Sequence, residues 1–283
     1  MMTAPETDSS KLEDLVRAAQ DGDRAALETL LARSAPQVRR FAQRMCQRDG
    51  DADDVLQDAL FAASRDLAKF RGESSFSSWL FALARSACAR RYRRALDKAG
   101  VAVPLDDDAH GRSFSSQARG PDEELASHET ATMLDEALAQ LEESAREVLL
   151  LRDVEGLTAP EVSVVLGITV DAVKSRLHRA RAALRERLEP AIRIDDAKGA
   201  RCTHIARTFS THLEGDLSAV DCAAMEKHVV RCPRCAIACA SLKRTLKLCQ
   251  VAGGVEGAVP AEVQNLVRKA VASAMGPRST AQP

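Results

Sequence analysis

Residues 134–188 read LDEALAQLEESAREVLLLRDVEGLTAPEVSVVLGITVDAVKSRLHRARAALRERL, and this stretch decides the fold class. Its apolar residues recur every three or four positions, which is the spacing of the buried face of a helix. A turn at Gly167 interrupts that spacing and separates a short helix predicted over 157–166 from an arginine-rich helix predicted over 170–187. Two helices joined by a short turn, the second of them basic, predict a helix-turn-helix unit.

The remainder of the 283 residues also predicts helices. Only 3% of the residues are aromatic, whereas strands favour aromatic side chains, and long stretches are rich in Ala, Leu, Arg and Glu. We therefore expect an all-α protein. No run of about 18 apolar residues is present, and the N-terminus MMTAPETDSS lacks the basic start and apolar core of a signal peptide. The sequence thus predicts a cytoplasmic protein without a membrane-spanning helix.

Charge is segregated along the chain, although its formal net value is only −1. Residues 85–98 carry six Lys and Arg against one acid, and residues 170–189 carry six against three. Between them, residues 106–143 carry eleven Asp and Glu against two Arg. Two basic helices separated by an acidic connector suit a protein that contacts nucleic acid at two places, although solvated helix faces would give the same pattern.

Composition and periodicity divide the chain into five segments. We predict helical domains over 1–98 and 123–190, an aperiodic linker over 99–122, a cysteine-rich domain over 200–250, and a tail over 251–283. The tail is expected to contain one short amphipathic helix from Ala261 to Met275.

The eight cysteines fall into two groups. Cys46 and Cys88 lie in apolar helical stretches and are predicted to be small buried side chains. The other six lie within 48 residues of one another. In a reducing compartment such a cluster indicates metal binding before it indicates disulfides.

The sequence His228-Val-Val-Arg-Cys232-Pro-Arg-Cys235 carries the strongest metal signal. His228 and Cys232 are one helical turn apart, and the CPRC turn offers a second sulfur from the same side. Cys202 completes a Cys₃His set, which is closed and therefore suits structural Zn²⁺ rather than catalysis. Because the sequence also lacks an HExxH motif, we do not expect an enzyme.

Further thiols and one imidazole remain once that set is filled. Cys222, Cys239 and Cys249, with His204 nearby, predict a second metal site that is rich in thiolates or exchangeable. A buried cysteine without a ligand role is the alternative for each of the three taken singly.

Two blocks of the chain resemble the ECF (extracytoplasmic function) sigma factors of bacterial RNA polymerase. They are residues 51–94, which contain DVLQD and FRGESSF, and residues 134–188, which contain VKSRLHRAR. The resemblance implies a transcription-initiation factor whose partners are core RNA polymerase and promoter DNA. It also implies that Asp54, Gln57 and Asp58 bind the polymerase, although acidic residues here would also stabilise the start of a helix.

The same resemblance assigns DNA contacts to both blocks. A loop and the following helix of the first block correspond to the part that melts and reads the −10 element, and the expected contacts are Arg71, Glu73, Ser74, Arg90, Arg91, Arg93 and Arg94. The basic helix of the second block is expected to read the −35 element through Lys174, Ser175, Arg176, His178, Arg179 and Arg181. Arg179 suits a bidentate contact to guanine, whereas Lys174, Arg176 and Arg181 suit phosphates.

The cysteine-rich segment resembles the zinc-binding fold of anti-sigma factors, and the chain as a whole resembles CorE-type, metal-dependent sigma factors. This resemblance implies that Zn²⁺ or Cd²⁺, or else copper, binds the segment and gates promoter activity without a separate anti-sigma factor. The alternative is that the zinc is structural, or redox-labile through oxidation of its thiolates. The sign of a metal response does not follow from the sequence.

Overall fold

The computed structural model describes residues 6–46, 50–99, 132–192, 202–253 and 259–275. All regular structure in these ranges is helical, which confirms the all-α prediction. In chain order the helices are α1 (Glu6–Gln20), α2 (Arg24–Met45), α3 (Asp51–Asp66), α4 (Phe76–Ala99), α5 (132–139), α6 (Glu143–Leu149), α7 (Ala159–Leu166), α8 (Val170–Ile192), α9 (Thr203–Leu213), α10 (Ala219–Arg231), α11 (Pro233–Gly253) and α12 (Ala261–Met275). No helix among the described residues combines the length and the apolar character needed to cross a membrane.

Two compact units make up the structure. The first contains α1–α4 and α12, and the second contains most of the described residues between 132 and 253. The predicted linker over 99–122 lies outside the described residues, apart from the last residue of α4.

The first unit is built around α2 and α3. Asp23 begins α2 because its carboxylate accepts hydrogen bonds from the backbone N–H groups of Ala25 and Ala26. The apolar face of α2 packs on α1, α3 and α4. The ring of Phe41 on α2 is fully buried and meets the ring of Phe81 on α4 edge to face, with centroids 5.5 Å apart.

The second unit contains the predicted helix-turn-helix. Thr158 and Glu161 form a capping box at the start of α7, and Gly167 ends that helix in the left-handed conformation, with a φ of 66°. α8 begins three residues later, and the residues that face inward from it include Val173 and Leu177, which are both fully buried. α8 runs past the predicted end at 187 to residue 192.

The cysteine-rich helices belong to this second unit rather than standing apart. α11 packs on α8 and on the π-helical turn Leu150–Val154 that follows α6, and α9 packs on α8. Ile205, Phe209, Met225 and Leu242 form part of a small apolar core between α9, α10 and α11. The helix predicted to read the −35 element and the predicted metal-binding segment therefore share one compact unit.

The C-terminal helix α12 has the predicted bounds but is not an independent tail. It packs on α2 and α3 of the first unit. Val263, Val267, Ala270 and Val271 are buried in that contact. Burial of an apolar face of this kind removes it from water and favours docking.

Candidate polymerase, promoter and metal sites

The three carboxylate and amide side chains predicted to bind polymerase lie along α3. Asp54 and Gln57 are exposed, and Asp58 is half-buried. The guanidinium of Arg91 on α4 donates to Asp54 at 2.6 Å and lies 3.6 Å from a carboxylate oxygen of Asp58. One predicted DNA contact, Arg91, thus lies between two predicted polymerase contacts and neutralises them in this conformation.

The other residues predicted to contact the −10 element lie on the loop before α4 and along that helix. Arg71 and Glu73 are exposed, with a nitrogen–oxygen distance of 4.0 Å, and Ser74 is half-buried. Arg90, Arg93 and Arg94 of α4 are all exposed.

An aromatic cluster flanks the loop that precedes α4. Phe70, Phe76 and Trp79 pack on one another, with ring centroids 5.2 to 6.1 Å apart. Phe76 is buried and Trp79 is half-buried, as expected for core side chains rather than for base-stacking groups.

The predicted DNA contacts on the basic helix α8 differ in their exposure to solvent. Ser175 and Arg179 are exposed, whereas Arg176 and His178 are half-buried. Burial lowers the pKa of His178, and the positive charges of Arg207, Arg181 and Arg179 lower it further. A neutral imidazole is therefore favoured at neutral pH.

Arg181 requires a correction, because the structure buries the side chain that was predicted to contact phosphate. The side chain of Arg181 is 3% exposed. Its guanidinium donates to both carboxylate oxygens of Asp153, at 2.6 and 2.8 Å, and to the hydroxyl of Ser210 at 3.1 Å. Burial lowers the pKa of Arg181, but the hydrogen bonds and charges of Asp153 and Glu214 outweigh that effect and leave the pKa above its ordinary value.

Two acidic residues between α9 and α10 contact the basic helix, and we call Glu214–Gly215–Asp216 the acidic turn. Glu214 accepts from Arg181 at 2.7 Å and from Arg152 at 2.8 Å, and its side chain is only 4% exposed. Asp216 pairs with Lys174 at 2.7 Å, and that hydrogen bond raises the pKa of Lys174. The acidic turn thus engages two of the cations predicted to bind DNA.

The four predicted metal ligands come together in the structure. The donor atoms of Cys202, His228, Cys232 and Cys235 all lie within 4.8 Å of one another. His228 Nε2 is 3.3 Å from Cys235 Sγ. Donor atoms around tetrahedral zinc lie roughly 3.5–3.8 Å apart, so small side-chain movements would complete a zinc site here.

The thiols of this set respond to their surroundings in opposite ways. Burial raises the pKa of Cys235 to about 12, and the neighbouring sulfurs add to that shift. Hydrogen bonds from the backbone and side chain of Cys235 lower the pKa of Cys232. A divalent cation among the sulfurs would favour the thiolate form of both, because a coordinating thiol is deprotonated.

Local helix geometry places these ligands at one end of a helical hairpin. Cys202 immediately precedes α9, and Cys232 immediately follows α10. α9 spans 11 residues, or about 16 Å, between Cys202 and the acidic turn. The metal ligands therefore lie at the open end of the α9–α10 hairpin, and the acidic turn forms its closed end.

Among the described side chains, no group of three candidate ligands includes Cys222, Cys239 or Cys249, and the second metal site stays a prediction. Cys239 and Cys249 are buried in α11, and Cys239 packs in the apolar core. Cys222 Sγ lies 3.2 Å from His212 Nδ1, across the hairpin. The side chain of His204 lies outside the described residues. Apolar burial explains Cys239 and Cys249 better than a ligand role.

Reasoning from the sequence missed the partners of the basic helix. Asp153 and Glu214 are separated from Arg181 by 28 and 33 residues, so no helical spacing connects them. The available signal was the pair of acids that flanks Gly215, about 25 residues after a helix with a strong excess of basic residues.

Family comparisons match each of these three groups of residues. Residues 30–96 match the family model for Sigma-70 region 2, and residues 131–184 match the one for Sigma-70, region 4. Residues 202–236 match the family described as "Putative zinc-finger". The fold and the sites thus define a promoter-recognition factor of RNA polymerase with an added zinc-finger segment.

Curated relatives are similar in sequence to this chain over most of their own length. The ECF RNA polymerase sigma factor SigM of Mycobacterium tuberculosis is 34% identical over 171 residues, which are 60% of this chain and 81% of SigM. The ECF RNA polymerase sigma-E factor of Escherichia coli is 30% identical over 192 residues, or 65% of this chain and 99% of that protein. RNA polymerase sigma factor NccH of Alcaligenes xylosoxydans xylosoxydans is 31% identical over 180 residues, or 63% of this chain and 95% of NccH.

This chain belongs to the ECF RNA polymerase sigma factors. Members of this family direct promoter-specific transcription by RNA polymerase and are not enzymes, as the sequence predicted.

Two solved structures are similar to this chain. CnrH in complex with the cytosolic domain of CnrY has a TM-score of 0.44 and 28% identity, covering 62% of this chain and 96% of that chain. RpoE in complex with the anti-sigma factor NepR from Bartonella quintana has a TM-score of 0.43 and 26% identity, covering 55% and 92%. CnrH was thus solved with the cytosolic domain of CnrY, and RpoE with NepR. The expectation that this chain has no separate anti-sigma factor stays a prediction.

Proposed function

We propose that this sigma factor is gated by metal binding to its own zinc-finger segment, which covers region 4 when docked. The observation that carries the proposal is the acidic turn. Glu214 pairs with Arg181, and Asp216 pairs with Lys174, on the helix expected to contact −35 DNA. Asp216 then occupies a position where a DNA phosphate would compete for Lys174, while Glu214 anchors the turn on the buried Arg181.

The ion pair between Asp216 and Lys174 opposes DNA binding. Lys174 cannot neutralise a phosphate while its ammonium is held 2.7 Å from Asp216. Each phosphate contact that is lost also removes the release of its counterion, which supplies much of the affinity of proteins for DNA. We therefore expect the docked acidic turn to lower the affinity of region 4 for promoter DNA.

The α9–α10 hairpin couples the metal to the acidic turn. A metal bound at Cys202, His228, Cys232 and Cys235 would hold the open end of the hairpin together. A closed hairpin keeps its far end shaped to bind Arg181 and Arg152. The metal-bound state is thus the inhibited state, and loss of metal releases region 4.

The required change in docking free energy is modest. The segment is part of the same chain as its target, so its effective concentration is on the order of mM for a flexible link. A difference of about 2.7 kcal/mol between docked and undocked states changes their population ratio roughly a hundredfold.

The remaining assignments follow from exposure and chemistry. Asp54, Gln57 and Asp58 would bind core polymerase after Arg91 releases the two carboxylates. The −10 contacts would be Arg71, Glu73, Ser74, Arg90, Arg93 and Arg94, and the −35 contacts would be Ser175, Arg176, His178 and Arg179, with Lys174 once Asp216 leaves it. The Cys₃His donors suit Zn²⁺ or Cd²⁺, and sulfur donors also suit Cu⁺.

Transcription from a target promoter with core polymerase, titrated with zinc, cadmium and copper, tests the gate. We expect wild-type output to fall as metal binds and to rise at least about tenfold after chelation, which corresponds to 1.4 kcal/mol of docking free energy. Cys232→Ser and Cys235→Ser should give high output at every metal concentration. Glu214→Gln combined with Asp216→Asn should raise output even with metal bound, because the turn loses its charge.

Matched controls separate gating from general damage. Cys46→Ser removes a thiol from the other unit, and Glu226→Gln removes an exposed carboxylate from α10, so both should keep the wild-type metal response. Unchanged output across all three metals, with Cys232→Ser behaving as wild type, would refute metal gating.

A second candidate function rests on the closed donor set. Four protein ligands leave no open coordination position, which is typical of structural zinc. In that case Cys232→Ser should unfold α9–α11 without a graded metal response. If oxidation rather than chelation raises output in the same assay, the zinc site senses oxidants through its thiolates.

A further inference from the structure

Cys46 and Cys88 form a pair of thiols in region 2, far along the chain from the metal ligands. Their Sγ atoms are 3.1 Å apart, although 42 residues separate them in sequence. Cys46 immediately follows α2, and Cys88 lies within α4. The sequence predicted both to be buried, and this is corrected by the structure, in which both residues are half-buried and partly exposed to solvent.

The separation of the two sulfur atoms is not far from that in a disulfide. The sulfur atoms of a disulfide are about 2.05 Å apart, so a further approach of about 1 Å from the present 3.1 Å suffices. α2 packs on α4, and this packing already holds the two side chains together. None of the polymerase, DNA or metal contacts described above uses either thiol.

We infer that Cys46 and Cys88 are a redox modification site that a peroxide converts to a disulfide between α2 and α4. One thiol reduces hydrogen peroxide by two electrons, giving a sulfenic acid and one water. The second thiol then attacks the sulfenic sulfur, and the S–O bond breaks as the S–S bond forms. The leaving hydroxide takes the thiol proton and departs as a second water.

The disulfide would enclose α3, the loop before α4 and the first half of α4. A cross-link that closes a loop of this length restricts the unfolded chain and so favours the folded state. Region 2 would therefore become more resistant to unfolding under the same oxidising conditions that attack thiolates of the zinc set. The two responses lie in different compact units and are separable by experiment.

Peptide mapping of the full-length protein after hydrogen peroxide treatment tests the site. Trypsin should release residues 45–48 and 86–90 as one linked pair, lighter than the two free peptides by two hydrogens, from the monomer band of a non-reducing gel. A reductant should separate the pair again. The unfolding midpoint of region 2 should rise by at least about 5 °C in the oxidised protein.

Single-thiol variants give the controls. Cys46→Ser and Cys88→Ser should each abolish the linked pair and the rise in midpoint, whereas Cys222→Ser, a half-buried thiol of the other unit, should retain both. The inference is overturned if both thiols remain open to alkylation after peroxide treatment, or if the linked pair occurs only in dimers. Because this readout needs neither metal nor promoter, it stands or falls independently of metal gating.

Discussion

At the scale of single residues, Arg181 links region 4 to the zinc-finger segment. Its guanidinium makes four hydrogen bonds, to Asp153, Glu214 and Ser210, while the side chain remains almost fully buried. A buried cation is tolerated when its donors are satisfied and its charge is matched, and here two carboxylates surround one guanidinium. The excess negative charge is shared with Arg152, which also binds Glu214.

Replacement of Arg181 by Met should therefore destabilise the second unit strongly. The change would leave Asp153 and Glu214 buried without their common counter-ion, at a cost of about 3–5 kcal/mol. Urea denaturation of the full-length protein measures this loss. Arg179→Met alters an exposed arginine on the same helix and should change the unfolding free energy by less than about 0.5 kcal/mol. A loss below about 1 kcal/mol for Arg181→Met would contradict the buried network.

At the scale of secondary-structure elements, α12 is a short amphipathic helix whose stability depends on its packing. An isolated helix of 15 residues is marginal in water, so its stability comes from the apolar face that it buries. That face packs on α2 and α3, and α3 also carries Asp54, Gln57 and Asp58. The C-terminal part of the chain therefore packs on helices of both compact units, through α9 and α11 in one and α12 in the other.

Val267→Asp should release α12 from region 2. A carboxylate placed at this position, which is 1% exposed, would lose its hydration without gaining a partner. Hydrogen exchange of the α12 amides should accelerate by at least about a hundredfold, as expected for a helix of marginal stability on its own. Asn265→Asp introduces the same carboxylate on the exposed face of α12 and should leave the exchange rates unchanged. Slow exchange in Val267→Asp would show that α12 does not depend on this contact.

At the scale of the whole molecule, the two compact units should respond separately to metal removal. The four predicted metal ligands all lie in the second unit. In a small segment of this kind, the free energy of metal binding contributes directly to the free energy of folding. Chelation should therefore weaken the second unit and leave the first unchanged.

Calorimetry of the full-length zinc-loaded protein checks this expectation. Chelation should lower the unfolding temperature of the second unit by at least about 10 °C and leave that of the first within error. Cys202→Ser should reproduce the effect of the chelator, because it removes one ligand. A single transition that moves as a whole would contradict the independence of the units.

Local pattern alone determined most of the architecture. The sequence predicted the turn at Gly167, the basic helix after it and the bounds of α12, because helix periodicity and turn residues act over a few positions. The Cys₃His set was equally predictable, since three of its members lie within eight residues and constrain one another through helical spacing.

Only the tertiary structure decided what surrounds these elements. The burial of Arg181, the approach of Glu214, the contact between Cys46 and Cys88 and the packing of α12 on region 2 all join residues more than 25 positions apart. Such pairs depend on how whole helices pack, and a single sequence carries no spacing rule for them. The sequence determined which side chains carry charge and sulfur, whereas the packing decided which of them are buried, which are exposed and which contact one another.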